Sequence, residues 1–184
     1  GNASQIPAGS LLYQTADGAG LAKLFVIENP NTAPAFRPSG SACYADALAA
    51  VTYNGGFAFD AAGNIIYGMA EMRPVGFSLF GRIMALVNTN GDQMIGPGEA
   101  NTLVSDPHLD DGLTDLAVSN EGRVFYSSNS ATVWAFALPA DLLTGTATPA
   151  PFVRTDAAYI SAVRFDFPGR TFAAGSTGTT ARLY

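Results

Sequence analysis

The sequence predicts an all-β chain folded as part of a β-propeller. Two observations carry this. Three hairpin segments align on a glycine, and strand-like text follows each hairpin at a spacing that suits a four-stranded blade. The segments are GFAFDAAGNIIYG (56–68), DLAVSNEGRVFYS (115–127) and AVRFDFPGRTFAA (162–174). Their glycines, Gly63, Gly122 and Gly169, stand 122 − 63 = 59 and 169 − 122 = 47 residues apart.

Each segment places apolar residues at alternate positions before a polar residue and a turn. The pairs are Phe57/Phe59, Leu116/Val118 and Val163/Phe165; the polar residues are Asp60, Ser119 and Asp166. Period-two alternation, a glycine-bearing turn and a second apolar run define a hairpin, here strands A and B of a blade. Strand A is expected to line the centre. GRIMALV (81–87) and ATVWAFAL (131–138) then read as strand C, and NTLVS (101–105) and APFVRT (150–155) as strand D. The longer first unit is expected to carry insertions near 72–78 and 88–99.

The N-terminal text reads as strands B, C and D. Leu12-Tyr13 parallels Phe125-Tyr126, and Ala35-Phe36-Arg37 parallels Phe152-Val153-Arg154. The C-terminal text reads as A, B and C. The predicted order is therefore BCD, ABCD, ABCD, ABC, with blades over 10–40, 55–105, 113–155 and 160–184. A closed ring needs whole blades, usually about four to eight. Two whole and two partial blades do not close, so the expectation is a segment of a larger propeller, completed by a second polypeptide or further copies. The competing architecture is an irregular β-sandwich built from the same hairpins.

Composition narrows the function classes. The chain has 184 residues, 48% of them hydrophobic and 13% charged, which is a globular composition. Its formal net charge is −6 and Lys23 is its only lysine, so it lacks the basic face that nucleic acid requires. No run approaches the roughly 18 apolar residues of a membrane span. Cys43 is the only cysteine, which excludes an internal disulfide, and it reads as a small buried filler. Low charge with abundant Ser, Thr, Asn and Gly suits an extracellular or periplasmic protein. Trp134, alternating with Phe136 on strand C, is expected to pack between blades.

The stretch GRIMALVNTNGDQMIGPGEANTLVSD followed by GLTDLAVSNEGRVFYSSNSATVWAF resembles blades of the six-bladed propeller superfamily. That group includes the NHL-repeat proteins, the gluconolactonase-like lactonases and the soluble sugar dehydrogenases. Arg82–Val87, Asn88–Glu99 and Leu113–Tyr126 match the order of strand C, acidic turn and glycine-arginine hairpin seen in the sugar-dehydrogenase branch. The resemblance covers about two thirds of the chain and implies a fold; fold alone does not transfer an activity.

Two segments are candidate sites. In Asn88–Glu99, Asn88, Asn90, Asp92 and Glu99 fall at calcium-loop positions 1, 3, 5 and 12, with a carbonyl at Met94. Gln93 stands where the sharp turn wants glycine, and the flanks read as strands. The same text is a polar C–D turn with Asn90-Gly91 at its bend. SDPHLDDGLTD (105–115) joins strand D to the next strand A. It carries His108, the only histidine, with Asp110, Asp111 and Asp115, which suit a general base or a metal ligand. In the lactonases and dehydrogenases the chain resembles, acidic residues or a histidine on such loops do the chemistry. The parallel loops 41–55 and 154–162 add Asp46, Tyr44, Asp156 and Tyr159. Carboxylates converging there would make a divalent-metal site or a sugar-binding funnel; otherwise each caps its own turn.

Three functional readings follow. One is an exported binding or assembly module. The second is part of an enzyme acting on a sugar or lactone through His108, Asp110, Asp111 and Asp156. The third is a structural subunit polymerised through open edge strands.

Overall fold

A computed structural model describes residues 11–16, 22–27, 42–45, 51–72, 79–91, 95–96, 98–105, 113–128, 130–165, 171–176 and 180–184. Among these the chain is all-β. The strands are β1 (Leu11–Ala16), β2 (Ala22–Ile27), β3 (Ala42–Ala45), β4 (Val51–Phe59), β5 (Ile65–Met72), β6 (Leu79–Leu86) and β7 (Ala100–Ser105). They continue with β8 (Leu113–Val118), β9 (Arg123–Ser128), β10 (Thr132–Ala137), β11 (Ala150–Arg154), β12 (Tyr159–Phe165), β13 (Thr171–Ser176) and β14 (Ala181–Leu183).

They form four antiparallel sheets of consecutive strands: β1-β2-β3, β4-β5-β6-β7, β8-β9-β10-β11 and β12-β13-β14. These are the predicted BCD, ABCD, ABCD, ABC units, a partial propeller. The hairpin turns explain the alignment. Gly63 and Gly122 sit at φ 87° and 74°, the left-handed region that glycine enters without a steric penalty. Gly63 and Gly122 each donate an N–H to the carbonyl of the polar residue before the turn, Asp60 and Ser119, both at 3.0 Å. Asp60 Oδ1 also accepts the Asn64 N–H at 2.8 Å, and Ser119 Oγ accepts the Arg123 N–H at 3.2 Å.

Period-two alternation sorts side chains between the two faces of each sheet. On β5, Ile65, Tyr67 and Met69 join a cluster with Leu24 of the first sheet. Ile66 points the other way, with Ile83 and Ala85 of β6, into a cluster holding Leu116, Val124, Tyr126 and Phe136 of the third sheet. Phe125 and Val133 leave the opposite face of the third sheet to meet Ile160, Val163 and Ala173 of the fourth. Each interface therefore stacks sheet on sheet. Every large apolar side chain removed from water there contributes about 1.5–3 kcal/mol before entropy is counted. Trp134 packs against the second of these clusters, between blades as expected.

The inner strands β4, β8 and β12 lie side by side, β4 against β8 and β8 against β12. Complete burial is not confined to the inner strands. Ile65, Ile66, Tyr67 and Met69 on β5 and Val124 and Tyr126 on β9 are fully buried. A B strand has neighbours on both edges, whereas an A strand turns one edge to the axis.

The first blade departs from expectation. The outer neighbour of β2 is Ala42–Ala45, which pairs through Val26↔Ala42 and Leu24↔Ala45. Strand D is thus this segment and not Ala35-Phe36-Arg37, which lies in 28–41, outside the described residues. The match to Phe152-Val153-Arg154 is three residues long and flanked by Pro34 and Pro38, neither of which can donate to a ladder. The connection to β4 shrinks to 46–50. Tyr44 and Cys43 belong to β3, and Asp46 lies outside the described residues.

Candidate functional site

The Asn88–Glu99 turn and the Asp156 turn lie at opposite ends of the strands. Leu86 pairs with Ala100 at one end of β7, and Arg82 pairs with Ser105 at the other. Residues 87–99 therefore project at the first end, with the hairpin turns 60–64 and 119–122 and the β10–β11 connection 138–149. The turn 155–158 lies at the second end, where the Thr155 N–H meets the Ala131 carbonyl.

At the first end the structure brings Asn88, Asn90 and Glu99 together as a hydrogen-bonded turn. Asn88 and Glu99 are buried. Glu99 Oε1 accepts the Thr89 N–H and hydroxyl, both at 2.6 Å, and the Asn90 N–H at 3.2 Å. Its Oε2 accepts the Gly96 N–H at 2.8 Å. Asn88 Oδ1 accepts the N–H of Gly91, whose φ is 74°. The Thr89 hydroxyl first and the Gly96 N–H next hold the Glu99 carboxyl down at about 2, against the opposing effect of burial. Glu99 is ionised and already saturated with donors from its own loop. Asp92 and Met94 lie outside the described residues.

Ile95, from the same turn, packs against the cluster between the first and second sheets. The 138–149 connection repeats the device one blade on. Leu142 and Ala147 pack against the cluster between the second and third sheets. The Ala147 N–H donates to the Leu103 carbonyl at 2.8 Å. Asn101 Nδ2 donates to the carbonyls of Leu142 and Gly145 at 2.9 and 2.7 Å. A Cβ at Gly145 would stand 2.5 Å from the Asp141 carbonyl oxygen, so the strap closes only on glycine. Asp141 caps it through the Thr144 hydroxyl at 2.7 Å and the Leu143 N–H at 2.9 Å. The Thr144 hydroxyl is the main cause of its lowered pKa.

His108, Asp110 and Asp111 lie outside the described residues. Asp156 is placed, and it accepts hydrogen bonds from the Tyr184 hydroxyl and from Arg182 Nη1. The Tyr184 hydroxyl is the largest cause of the lowering of the Asp156 pKa, and the tyrosine in turn is pushed up by the carboxylate. Tyr159 is exposed. Thr155 and Ser130 tie this end together. The Thr155 N–H reaches the Ala131 carbonyl at 2.9 Å, and the Ile160 N–H reaches the Ser130 carbonyl at 3.0 Å.

Asp115 bridges blades. It is buried on β8, where Oδ2 accepts the Val163 N–H of β12 at 2.9 Å and pairs with the Arg164 guanidinium. Thr114 beside it donates to the Ile160 carbonyl, also on β12, at 2.8 Å. On its other side stands Gly56 of β4, at φ 80°; a Cβ there would lie 3.1 Å from Asp115 Oδ1. These bridging roles were not expected from sequence. One signal was present. Gly56, Asp115 and Ala162 occupy the same repeat position, and only one of them is charged.

Among the described residues, no group of three or more His, Cys, Asp or Glu is placed to hold a metal ion, and no helix is long and apolar enough to cross a membrane.

No protein-family model matches the sequence, and no curated protein matches it. Solved structures do. The PQQ-bound aldose sugar dehydrogenase of Streptomyces coelicolor superposes with a TM-score of 0.64 at 16% identity, over 96% of this chain and 58% of that one. The calcium-binding protein regucalcin of Agrobacterium tumefaciens gives 0.56 at 11% identity, over 94% and 51%. A gluconolactonase of Xanthomonas campestris gives 0.52 at 14% identity, over 94% and 52%. The fold is the β-propeller of these sugar-dehydrogenase and lactonase structures. The chain spans between 51% and 58% of their lengths.

Proposed function

We propose that this chain is an exported propeller segment that works as a binding or assembly module. One observation carries the reading. The carboxylates Asp60, Glu99, Asp115, Asp141 and Asp156 are each engaged by donors of their own turn, a neighbouring blade or the C-terminal strand region. Meanwhile strand β11 is exposed along its whole length. Side chains that would otherwise serve chemistry serve the architecture, and the accessible apolar surface lies at a sheet edge.

A cation at Asn88–Glu99 would be calcium by the oxygen chemistry of the loop. To bind it, Glu99 must exchange four donor contacts for the ion. The expected result is a mass unchanged by EDTA; a loss matching calcium would make the turn a metal site.

The enzyme reading is favoured by one feature, the His108 segment on the strand-D to strand-A connection. It is the reading under which the names of the fold relatives, a sugar dehydrogenase and a gluconolactonase, would carry over. The discriminating experiment assays the purified chain for lactone hydrolysis and for PQQ-dependent aldose oxidation, beside a His108→Ala variant. The module reading expects no turnover above buffer. Turnover abolished by His108→Ala would replace it with the enzyme reading.

A further inference from the structure

The sequence holds two Asn-Gly pairs, Asn54–Gly55 and Asn90–Gly91. A glycine after asparagine has no Cβ to shield its backbone nitrogen. That nitrogen can close on the asparagine side-chain carbonyl carbon to form a five-membered imide. The two pairs differ in setting. Asn54 is laddered in β4, opposite Met69. Asn90 and Gly91 are exposed in the turn between β6 and β7. By contrast, Asn64 and Asn101 are followed by Ile65 and Thr102. Their side-chain amides are spent as donors, to Asp60 Oδ2 at 2.8 Å and to the carbonyls of Leu142 and Gly145.

Asn90–Gly91 has the residues and the access to water, but its nucleophile is engaged. The Gly91 N–H donates to Asn88 Oδ1 at 2.9 Å. Asn88 is only 3% exposed, so packing holds the acceptor in place. The Asn90 N–H is held as well, by Glu99 Oε1 at 3.2 Å. The attacking species is the deprotonated Gly91 amide. A donor that keeps its hydrogen bond is harder to deprotonate, and its peptide plane cannot swing toward the Asn90 side chain. Reaction therefore waits on local opening of the turn.

We propose that Asn90–Gly91 is a latent deamidation site, kept shut by Asn88. Once released from Asn88, the Gly91 nitrogen gives up its proton and forms a bond to Asn90 Cγ. The Cγ–Nδ2 bond breaks, and Nδ2 leaves with a proton as ammonia. Water then opens the imide. Attack at Cγ gives aspartate. Attack at the main-chain carbonyl carbon gives isoaspartate, with the side-chain methylene inserted into the backbone. No oxidant or reductant takes part. Asn88 is a positioning residue here, since it acts on the Gly91 nitrogen and not on the reacting carbon. Either product adds a carboxylate to the residue whose own N–H binds Glu99, so the turn gains a like charge. Ile95 of the same turn covers the cluster between the first and second sheets, so ageing at Asn90 bears on a blade interface.

The test follows amide-to-acid conversion by peptide mapping of the full chain in mildly alkaline buffer with EDTA, both folded and in urea. Folded wild type is expected to convert Asn90 about tenfold slower than the urea-unfolded chain, or slower still. Asn88→Ala removes the acceptor and should speed Asn90 about two- to tenfold, the worth of one hydrogen bond. Asn88→Asp keeps an oxygen in place and should stay near the wild-type rate. Asn54–Gly55 is the internal reference, and its rate should not change in either variant. Equal Asn90 rates in folded and urea-unfolded wild type overturn the proposal, whatever the variants do. So does an Asn90 rate that Asn88→Ala leaves unchanged. Acceleration at Asn54 and Asn90 alike also overturns it, because the substitution then loosens the whole blade. If Asn88→Ala loses its cooperative urea transition, Asn88→Asp decides: an Asn90 rate as fast as in urea rejects the role of Asn88.

Discussion

The Asp115 carboxylate on β8 accepts the backbone N–H of Val163 on β12 at 2.9 Å, and so fastens one inner strand to the next. An inner strand presents unpaired backbone groups to the axis, and a buried N–H without a partner is costly. Asp115→Ala should destabilise the chain by about 1–3 kcal/mol in urea unfolding, because the Val163 N–H is orphaned. Asp115→Asn, which keeps an acceptor, should cost less.

Gly56 completes the arrangement from the other side. Its φ of 80° and the 3.1 Å approach of Asp115 Oδ1 make Gly56→Ala unfavourable on both counts. About 1–2 kcal/mol of destabilisation is expected from the left-handed conformation alone. The steric part should vanish when Asp115 is also alanine. A double-mutant cycle should therefore return a non-zero coupling, and strict additivity would show that the two residues do not meet.

Glu99 sets an acid limit. Its folded pKa of about 2 lies below the ordinary 4.5. A depressed carboxylate contributes stability above its unfolded value and loses it as pH falls toward its folded value. The urea midpoint of wild type should therefore fall between about pH 4.5 and pH 2, more steeply than that of Glu99→Gln. At pH 7 the variant should be less stable by about 1.5–3 kcal/mol, the scale of a hydrogen bond to a charged group. Parallel pH profiles would contradict the assignment.

The strap makes a local prediction. Asn101→Ala removes both donors to the Leu142 and Gly145 carbonyls. Amide exchange at Ala147 should quicken, while exchange at fully buried Tyr126 stays slow. Equal acceleration at both would mean that the strap is not an independent element.

Much of this was legible in the chain and some was not, for physical reasons. Hairpin turns are local: Asp60 and Gly63, or Ser119 and Gly122, specify the bend within four residues, so the repeat could be read directly. Strand D is not local. Its partner is fixed by bulge register and by a strap from the next blade, and a short motif such as Ala35-Phe36-Arg37 carries no such information. The Asn88–Glu99 turn shows the same limit in chemistry. The oxygens of a calcium loop are present at Asn88, Asn90 and Glu99, but the Thr89 hydroxyl that occupies Glu99 lies between the motif positions, and Gly96 adds an N–H that the side-chain pattern does not show. Asp115 was visible as an acidic residue beside His108. Its partner Val163 lies 48 residues away and became visible only with the sheets in place.

Native mass spectrometry of the purified chain, with and without EDTA, tests the central claim most directly. The proposed assembly module predicts species heavier than the 19.0 kDa chain, unchanged by EDTA. A lone 19.0 kDa species at every concentration would contradict it.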